Sequence, residues 1–386
     1  MACSFIMVYH LKLVMSIASV CPRDCYDTCF LKVVVRGGRV VSVVGDDVNP
    51  TTGGFTCPRG AHDNVRVYVS RVLYPYVRVS PKPGRGFKRV KWSEALDYVV
   101  GRLKHVLKNY GPKAVLHLEY AGNMGLLTWY FPQRLWNALG AVGTDYSICS
   151  KSGHEAISLH YGLSYGVQPD ELPNMRLIVY WGFNAVVSSP HLWRLSLEAR
   201  ENGAVISAVD PRRSKTAKLA DIWVNPRPGT DVAIAYGISR YIIEHGYIDE
   251  DFIERWTYGY EQFREEAMRW TPDRVEVVTG VKWRLIEELA DVYCRLRPSV
   301  TMIGIGLQKS LYGAESVRAI SLIPALLGIH RGFFYSNSEG WYIDIPYISG
   351  EKFLKNKPPK VSQVALSRYI EEGRFKFIFI YNMNPP

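Results

Sequence analysis

The sequence is poor in cysteine and has no long hydrophobic run. It holds seven cysteines in 386 residues, too few for a disulfide scaffold in a chain long enough to bury a large core without one. The apolar patch over residues 5–15 is interrupted by His10 and Lys12, is too short to span a bilayer, and has neither a cleavage site nor twin arginines. We therefore expect no membrane span, no export signal and a cytoplasmic location.

The sequence also lacks the signatures of nucleic-acid binding. Its 47 lysine and arginine residues outnumber 36 aspartate and glutamate residues, for a net charge of +11, but this charge is spread along the chain without a basic tail. No helix-turn-helix or RRM pattern occurs, so we expect no nucleic-acid partner. A cofactor with several phosphates or an acidic partner subunit would use the charge. A basic enzyme with neither is the alternative.

Four of the cysteines form a pattern near the start of the chain. Cys21, Cys25 and Cys29 are spaced four residues apart, and Cys57 follows after a longer gap. Four thiolates saturate the irons of a [4Fe–4S] cluster, whereas structural zinc ligands usually come as two cysteine pairs. The spacing predicts that all four are cluster ligands, and it disfavours a zinc site or a disulfide knot.

The region around these cysteines has the pattern of a small β-rich unit. Residues 31–35 and 40–44 are apolar runs separated by a turn over 36–39, which predicts a β-hairpin between the third and fourth cysteines. We expect a small β-rich iron–sulfur module over residues 15–75.

Beyond this module, the sequence alternates strand-like and helix-like segments. That alternation predicts a doubly wound parallel-sheet α/β region over residues 76–386, and the 47% apolar content is typical of a globular chain. No solenoid repeat or low-complexity segment is present. The predicted strands are residues 114–118, 177–180, 204–209, 299–303 and 375–381. The predicted helices are residues 92–110, 190–202, 231–245 and 315–327, with a mostly helical stretch over 250–295.

Polar and glycine-rich loops follow several of the predicted strands. They are residues 181–184, 210–214, 227–231, 304–308 and 382–385. In open α/β sheets ligands bind beyond the carboxyl ends of the strands, where exposed backbone N–H groups meet phosphate. Any one of these loops is typical of an ordinary strand–helix turn, but five of them together indicate a nucleotide-like ligand.

The order of these motifs along the chain resembles the molybdopterin oxidoreductases of the dimethyl sulfoxide reductase superfamily. The motifs are the four cysteines, Cys57-Pro58-Arg59-Gly60, Trp181-Gly182-Phe183-Asn184, Asp210-Pro211-Arg212-Arg213, Arg227-Pro228-Gly229-Thr230-Asp231, Gly304-Ile305-Gly306 and Asn384-Pro385. The resemblance implies a [4Fe–4S] cluster and molybdenum or tungsten held by two molybdopterin guanine dinucleotides. It implies cofactor-binding roles for Arg59, Gly182, Asn184, Asp210, Arg212, Gly229, Asp231, Gly304, Gly306, Gln308 and Asn384.

A fifth cysteine has the place of a metal ligand in this family. Related formate dehydrogenases and periplasmic nitrate reductases have a cysteine or selenocysteine on the metal and a glycine thirteen residues later, as Cys149 and Gly162 are here. The resemblance implies that Cys149 ligates molybdenum or tungsten, and a thiolate beside a helix N-terminus is favoured by the helix dipole. The alternative is a buried structural cysteine, our interpretation of Cys3 and Cys294. His154 is a candidate catalytic proton carrier that a pterin contact or a helix cap would equally explain.

The chain departs from the family at three points. Arg59 stands where relatives usually have lysine between cluster and pterin, which keeps the charge but changes its geometry. Ala185 stands where many relatives have proline. The resemblance also implies that the C-terminal part, including a β-barrel that helps to hold both pterins, is absent from this sequence. A second polypeptide would then supply it, or the chain is a truncated product.

The resemblance implies an enzyme that transfers an oxygen atom, sulfur or hydride on a small-molecule substrate. Electrons would pass through the cluster to an iron–sulfur electron-transfer subunit. The alternatives are a non-catalytic electron-transfer subunit, similar to the large subunit of respiratory NADH dehydrogenases, and an inactive remnant. Cys149 and the nucleotide-site residues favour the enzyme. Formate, polysulfide or thiosulfate, nitrate and arsenic oxyanions all remain open as substrates.

Overall fold

The computed structural model describes residues 14–338 and 342–385. They divide into two compact units, a smaller one made of residues up to 23 with 27–108, and a larger one made of 24–26 and the residues from 109 onward. Cys3 lies outside the described residues.

The smaller unit is built on a three-stranded antiparallel sheet in the order β1-β2-β3. Its elements are β1 (Val14–Val20), β2 (Phe30–Arg36), β3 (Arg39–Gly45), α1 (Pro58–Ala61), α2 (Asp63–Tyr68), β4 (Tyr76–Arg78), β5 (Phe87–Arg89) and α3 (Trp92–Tyr110). The predicted hairpin is β2–β3, and Gly37 and Gly38 supply the positive φ angles of 58° and 75° that its turn requires. Strand β1 was not predicted, because its apolar run is not bounded by turn residues on both sides.

The larger unit contains nine strands and fourteen α-helices among its described residues. The strands are β6 (Val115–Glu119), β7 (Gly143–Thr144), β8 (Leu177–Trp181), β9 (Val205–Val209), β10 (Ile222–Val224), β11 (Ser299–Ile303), β12 (Phe333–Phe334), β13 (Lys360–Val361) and β14 (Phe377–Tyr381). The helices are α4 (Leu126–Trp129), α5 (Gln133–Leu139), α6 (Lys151–Tyr161), α7 (Ala185–Ser188), α8 (Pro190–Glu201), α9 (Lys215–Leu219), α10 (Asp231–Glu244), α11 (Glu250–Trp256), α12 (Tyr260–Met268), α13 (Pro272–Thr279), α14 (Trp283–Arg295), α15 (Gly313–Leu326), α16 (Ile345–Ile348) and α17 (Leu366–Glu371).

The main sheet of the larger unit is five-stranded and parallel, in the order β10-β9-β8-β11-β12. From β8 the chain adds β9 and β10 on one side and later adds β11 and β12 on the other, so the strand order reverses between β8 and β11. The doubly wound parallel-sheet prediction is therefore confirmed. A reversal of this kind opens a crevice at the carboxyl ends of the two central strands, which is where such sheets bind ligands.

Both faces of this sheet are buried, which explains the unbroken apolar runs of its strands. Leu177, Val179 and Trp181 of β8 pack into one core cluster, together with side chains from α6, α10, α14 and α15. Ile178 and Tyr180 point the other way and pack with side chains from α8 and β9. None of the helices in the described ranges combines the length and the apolar content needed to cross a membrane.

A second group of parallel strands lies beside the main sheet in the same unit. Strand β14 pairs with β6, and β13 pairs with β7. A bridge between Leu116 and Val142 joins β6 to the residues just before β7. The side chains of β14 alternate in burial, with Ile378 and Ile380 exposed, so one face of this strand is uncovered.

Candidate cofactor sites

Three of the four patterned cysteines lie together at the base of the small antiparallel sheet. Cys21 follows β1 and Cys29 precedes β2, and the Cys21 N–H donates to the Cys29 carbonyl at 2.9 Å. Cys57 is the N-cap residue of α1, with Pro58 starting the helix. Cys29 and Cys57 are buried and Cys21 is half-buried. The antiparallel pairing of β1 with β2 thus brings the third cysteine back beside the first.

Burial shapes the chemistry of these thiols. It raises the pKa of the Cys21 thiol, and nearby Arg23 partly opposes that rise. Arg23 is itself held by Asp63, which accepts from its guanidinium at 2.5 Å, and by the carbonyl of Arg59 at 3.1 Å. A cation offsets the cost of a buried thiolate, so the Cys21 sulfur is suited to bind a soft metal centre.

The donor set fits a [4Fe–4S] cluster. None of the six cysteines in the described ranges forms a disulfide. Cys25 lies in the 24–26 segment of the larger unit and is half-buried. No three His, Cys, Asp or Glu side chains among the described residues are grouped as ligands of a single ion. A [4Fe–4S] cluster does not require such a group, because each thiolate binds a different iron.

Two glycine-containing loops meet at the reversal of the main sheet. Gly182 follows β8 with a φ of 59°, and a Cβ built on Gly304, after β11, would overlap the Gly182 carbonyl. The backbones of the two loops therefore touch, and only glycine at 304 permits it. Gly306 has open space, with its nearest neighbour at 3.9 Å. The two loops that follow the central strands thus lie in direct backbone contact, at the place where sheets of this topology bind dinucleotides.

The loop before α10 also reaches this region. Gly229 has a φ of 80°, and a Cβ there would lie 3.8 Å from the Ser310 side chain beyond β11. Asp231 is buried and accepts a hydrogen bond from the Trp181 indole at 2.9 Å. Burial raises the pKa of the Asp231 carboxyl. This aspartate therefore ties the helix to the end of β8 from inside the protein.

The predicted residues after β8 and β9 make hydrogen bonds that fix the two loops. Asn184 Oδ1 accepts from the backbone N–H and the hydroxyl of Thr216, at 3.2 Å each. Asp210 Oδ1 accepts from the Arg212 N–H at 2.9 Å, and Arg212 is exposed. The Arg212 guanidinium is thus presented at the surface beyond β9, where a phosphate can be reached.

In the last loop the structure singles out a residue that the sequence analysis did not. Asn384 is exposed. Asn382, with a φ of 54°, donates to the carbonyls of Tyr120 and Asn123 at 2.8 Å each. Asn382 therefore locks the loop after β14 onto the loop after β6. Asparagine is among the non-glycine residues that most often adopt a left-handed backbone. An asparagine in a loop is therefore only a weak sequence signal for this conformation, which the tertiary structure imposes.

Cys149 lies in a turn two residues before α6 and is half-buried. Its N–H donates to the Tyr146 carbonyl at 3.4 Å. Tyr26, Tyr120 and Tyr335 surround it, and burial chiefly, with the nearby Cys149 sulfur adding to it, raises the pKa of all three phenols. Tyr120 donates to the Tyr146 carbonyl at 3.2 Å and Tyr335 to the Ser150 carbonyl at 3.4 Å, so both are bonded to the turn that contains Cys149. No sequence motif marks them.

Gln308 connects the Cys149 helix to the crevice of the main sheet. Its Oε1 accepts from the Ser152 hydroxyl at 3.1 Å and from the Gly153 N–H at 2.5 Å, both in the first turn of α6. Any Cβ at Gly153 would overlap Tyr335. The loop after β11 is therefore in close contact with the first turn of the helix that follows Cys149.

His154 is placed inside the larger unit. It is buried, its Nδ1 lies 2.9 Å from the Ser164 hydroxyl, and its Nε2 lies 3.4 Å from the Ser338 hydroxyl. Its ring meets Tyr335 edge-on at 5.0 Å. Both ring nitrogens thus face hydroxyl groups, and the catalytic role of His154 stays a prediction.

A chain with a doubly wound α/β unit that has glycine loops at its strand reversal, and with a cysteine-rich β module, belongs to the class of dinucleotide-cofactor proteins that also carry a metal cluster. Known protein families agree with that class. The family model described as "Molybdopterin oxidoreductase" matches residues 71–385, and the one described as "Molybdopterin oxidoreductase Fe4S4 domain" matches residues 14–68. The chain belongs to the molybdopterin oxidoreductase family. Its cofactors are accordingly a [4Fe–4S] cluster and a pterin-held molybdenum or tungsten.

Individual relatives extend the comparison. "Probable oxidoreductase YoaE" of Bacillus subtilis (strain 168) is 32% identical over 376 residues, which are 95% of this chain and 55% of that protein. Formate dehydrogenase H of Escherichia coli (strain K12) is 28% identical over 323 residues, 81% of this chain and 44% of that protein. The solved structure of acetylene hydratase from Pelobacter acetylenicus aligns with a TM-score of 0.67 at 24% identity, over 82% of this chain and 44% of that one, and shows the shared fold. The chain spans about half the length of these relatives.

Proposed function

We propose that this chain is the cofactor-binding part of a molybdenum or tungsten oxidoreductase that acts on a small molecule. Two pterin guanine dinucleotides would lie along the glycine loops of the main sheet. The bound metal supplies transfer of an oxygen atom, sulfur or hydride. The [4Fe–4S] cluster on Cys21, Cys25, Cys29 and Cys57 would carry the electrons.

The observation that carries this proposal is the bonding of Gln308. It joins the loop after β11, where dinucleotides bind in sheets of this topology, to the first turn of the helix that follows Cys149. A thiolate on Cys149 would therefore stand at a fixed place relative to the dinucleotide crevice. A buried structural cysteine needs no such link, and Cys149 is half-buried.

The residues of the chain would divide the work. Arg212 and the backbone N–H groups of the glycine loops would bind phosphate oxygens, as helix and loop N-termini do in dinucleotide folds. Asn184 and Asp231, already bonded inside the protein, would hold those loops in place. The phenols of Tyr120 and Tyr335, which donate to the Tyr146 and Ser150 carbonyls on either side of Cys149, would hold its turn in place.

The substrate is proposed only as a small molecule. The relatives bear names as different as formate dehydrogenase, dimethyl sulfoxide reductase chain and acetylene hydratase. Because the chain spans about half of each, the residues that select a substrate among formate, sulfur compounds, nitrate and arsenic oxyanions would come largely from the part of the fold not represented here.

We further propose what lies against β14 and a protein partner. The uncovered face of β14, with Ile378 36% and Ile380 46% exposed, is unusual for a parallel strand, which is normally covered on both faces. The part of the fold that the relatives have beyond the span of this sequence would cover it. An iron–sulfur electron-transfer subunit would take electrons from the cluster, and an acidic one would suit the net charge of +11.

Metal analysis of the anaerobically purified chain tests the cofactor content. We expect iron together with molybdenum or tungsten. Iron without either would instead support a non-catalytic electron-transfer subunit, and neither metal would support an inactive remnant.

X-ray absorption at the molybdenum or tungsten edge tests the role of Cys149. We expect Cys149→Ala to lose one sulfur from the metal shell, whereas the buried Cys294→Ala should leave the shell intact. An unchanged sulfur count in Cys149→Ala would contradict the ligand role.

A further inference from the structure

A buried carboxylate outside the proposed cofactor contacts lies at the end of β6. Glu119 is 1% exposed. Its Oε2 lies 2.7 Å from His117 Nδ1, and its Oε1 accepts from Gln133 Nε2 at 3.1 Å and from the Tyr146 hydroxyl at 2.6 Å. A buried carboxylate with this many short partners is fixed in position, and it fixes its partners in turn.

Tyr146 is the partner with an unusual backbone. Its φ is 58°, in the left-handed region that a non-glycine residue occupies only at a cost of about 1–2 kcal/mol. The surrounding contacts must therefore hold it there. Burial, and then the nearby Glu119 carboxylate, raise the pKa of Tyr146. The Tyr146 hydroxyl donates to Glu119 and accepts from Gln133 Nε2 at 2.8 Å, so both its donor and an acceptor site are used.

The turn that begins at Tyr146 ends at Cys149. The Tyr146 carbonyl accepts from the Cys149 N–H at 3.4 Å and from the Tyr120 hydroxyl at 3.2 Å. The left-handed backbone of Tyr146 sets the direction in which this carbonyl points. Tyr146, in its left-handed conformation, therefore makes both the side-chain bond to Glu119 and the backbone bond to Cys149.

We propose that Glu119 is a positioning residue for Cys149. Through the Tyr146 hydroxyl it holds the 146–149 turn in its left-handed form, and so keeps the thiol in one place at the start of α6. The importance of this positioning for the reaction rests on the proposed metal-ligand role of Cys149. The effect of the Glu119–Tyr146 bond on the 146–149 turn can be tested without measuring activity.

The test compares two single-hydroxyl deletions in the full chain. Tyr146→Phe removes the bond to Glu119, while Tyr293→Phe removes a phenol bond of comparable length, to Thr301 at 2.8 Å, in the fully buried main core. Hydrogen exchange of the 146–150 amides and the alkylation rate of Cys149 by iodoacetamide are measured by mass spectrometry. We expect Tyr146→Phe to raise both about 5- to 10-fold, the effect of losing one buried hydrogen bond, and Tyr293→Phe to change neither.

A second pair of variants tests Glu119 itself. Glu119→Gln keeps an oxygen that accepts from Tyr146, so we expect both rates to stay within about 2-fold of the parent chain; Glu119→Ala should raise them about 10-fold. The inference is overturned if Tyr146→Phe leaves both rates unchanged, or if Tyr293→Phe raises them equally. That failure is distinct from an unchanged sulfur count in Cys149→Ala, which would remove the metal-ligand role and leave the turn as it is.

Discussion

The smaller unit and the larger unit bury very different amounts of apolar surface. The core cluster of the smaller unit consists of Cys29, Leu31 and Val43, and its longest helix, α3, has Val106 as its buried residue while Trp92 is 65% exposed. In the larger unit, every residue of β8 and β11 is buried. The same chain thus contains one unit with few buried side chains and one with a complete core.

This difference indicates what stabilises each unit. A small unit with few buried side chains usually needs a metal or a crosslink. Two of the three residues of its core, Leu31 and Val43, flank the buried thiol of Cys29, so the cluster would complete that core. The larger unit holds its shape through the two-sided burial of its sheet, so its cofactor would be bound by a preformed crevice.

The largest expected effect is on iron. Replacing the buried ligand in Cys57→Ala should lower iron from about four per chain by more than half. The matched control is Cys294→Ala, since Cys294 is also buried and burial raises the pKa of its thiol to about 12. It should keep all its iron in the same elemental analysis. Equal iron in the two variants would contradict the ligand assignment.

Removing the cluster should affect the two units unequally. After chelation of iron, we expect amide exchange in β1, β2 and β3 to accelerate toward the unprotected rate, because the core there loses its centre. The amides of β8 and β11 should remain protected. Uniform acceleration across both units, seen by mass spectrometry, would show that the larger unit is not self-sufficient.

The crevice of the larger unit can be tested with two glycines two residues apart. Gly304→Ala forces a Cβ onto the Gly182 carbonyl and should lower the free energy of unfolding by about 3 kcal/mol, as overpacking does. Gly306 has a helical φ of −60° and open space, so Gly306→Ala should leave it unchanged or raise it by up to about 1 kcal/mol. Urea unfolding measures both, and similar losses would refute the close approach.

The smallest expected effect is the pH dependence of the free energy of unfolding that comes from Asp231. Because burial raises the pKa of Asp231 above its usual 3.8, the folded chain holds this proton more tightly than the unfolded chain. Its contribution to stability therefore falls as pH rises above 3.8 toward the folded pKa. Asp231→Asn keeps an oxygen for the Trp181 indole and cannot ionise, so its free energy of unfolding should fall less over that range. Parallel pH profiles for the two proteins would contradict this.

Local patterns predicted the fold well where one rule dominates. The hairpin around Gly37 and Gly38 and the fully apolar strands β8 and β11 follow directly from turn chemistry and two-sided burial. Strand β1 was missed because its apolar run is not bounded by turn residues on both sides. The order of the main sheet, which places the crevice between β8 and β11, depends on pairings between distant segments that no local pattern contains.

The candidate site divides in the same way. The cysteine motif and the glycine loops are local sequence patterns, so the sequence analysis could identify them. The hydrogen bonds that link these segments are not local and were not predicted. Gln308 reaches α6 across 155 positions of sequence, and Tyr146 takes a left-handed backbone that tyrosine does not favour on its own. Those features arise from tertiary packing, which imposes bonds and conformations that the individual residues do not select.

The central claim is that the thiolates of Cys21, Cys25, Cys29 and Cys57 hold a [4Fe–4S] cluster, and low-temperature electron paramagnetic resonance tests it most directly. The anaerobically purified chain should show the signal of a reduced cubane after dithionite treatment, and Cys57→Ala should lose that signal while Cys294→Ala keeps it. A silent spectrum from the unaltered chain would contradict the account.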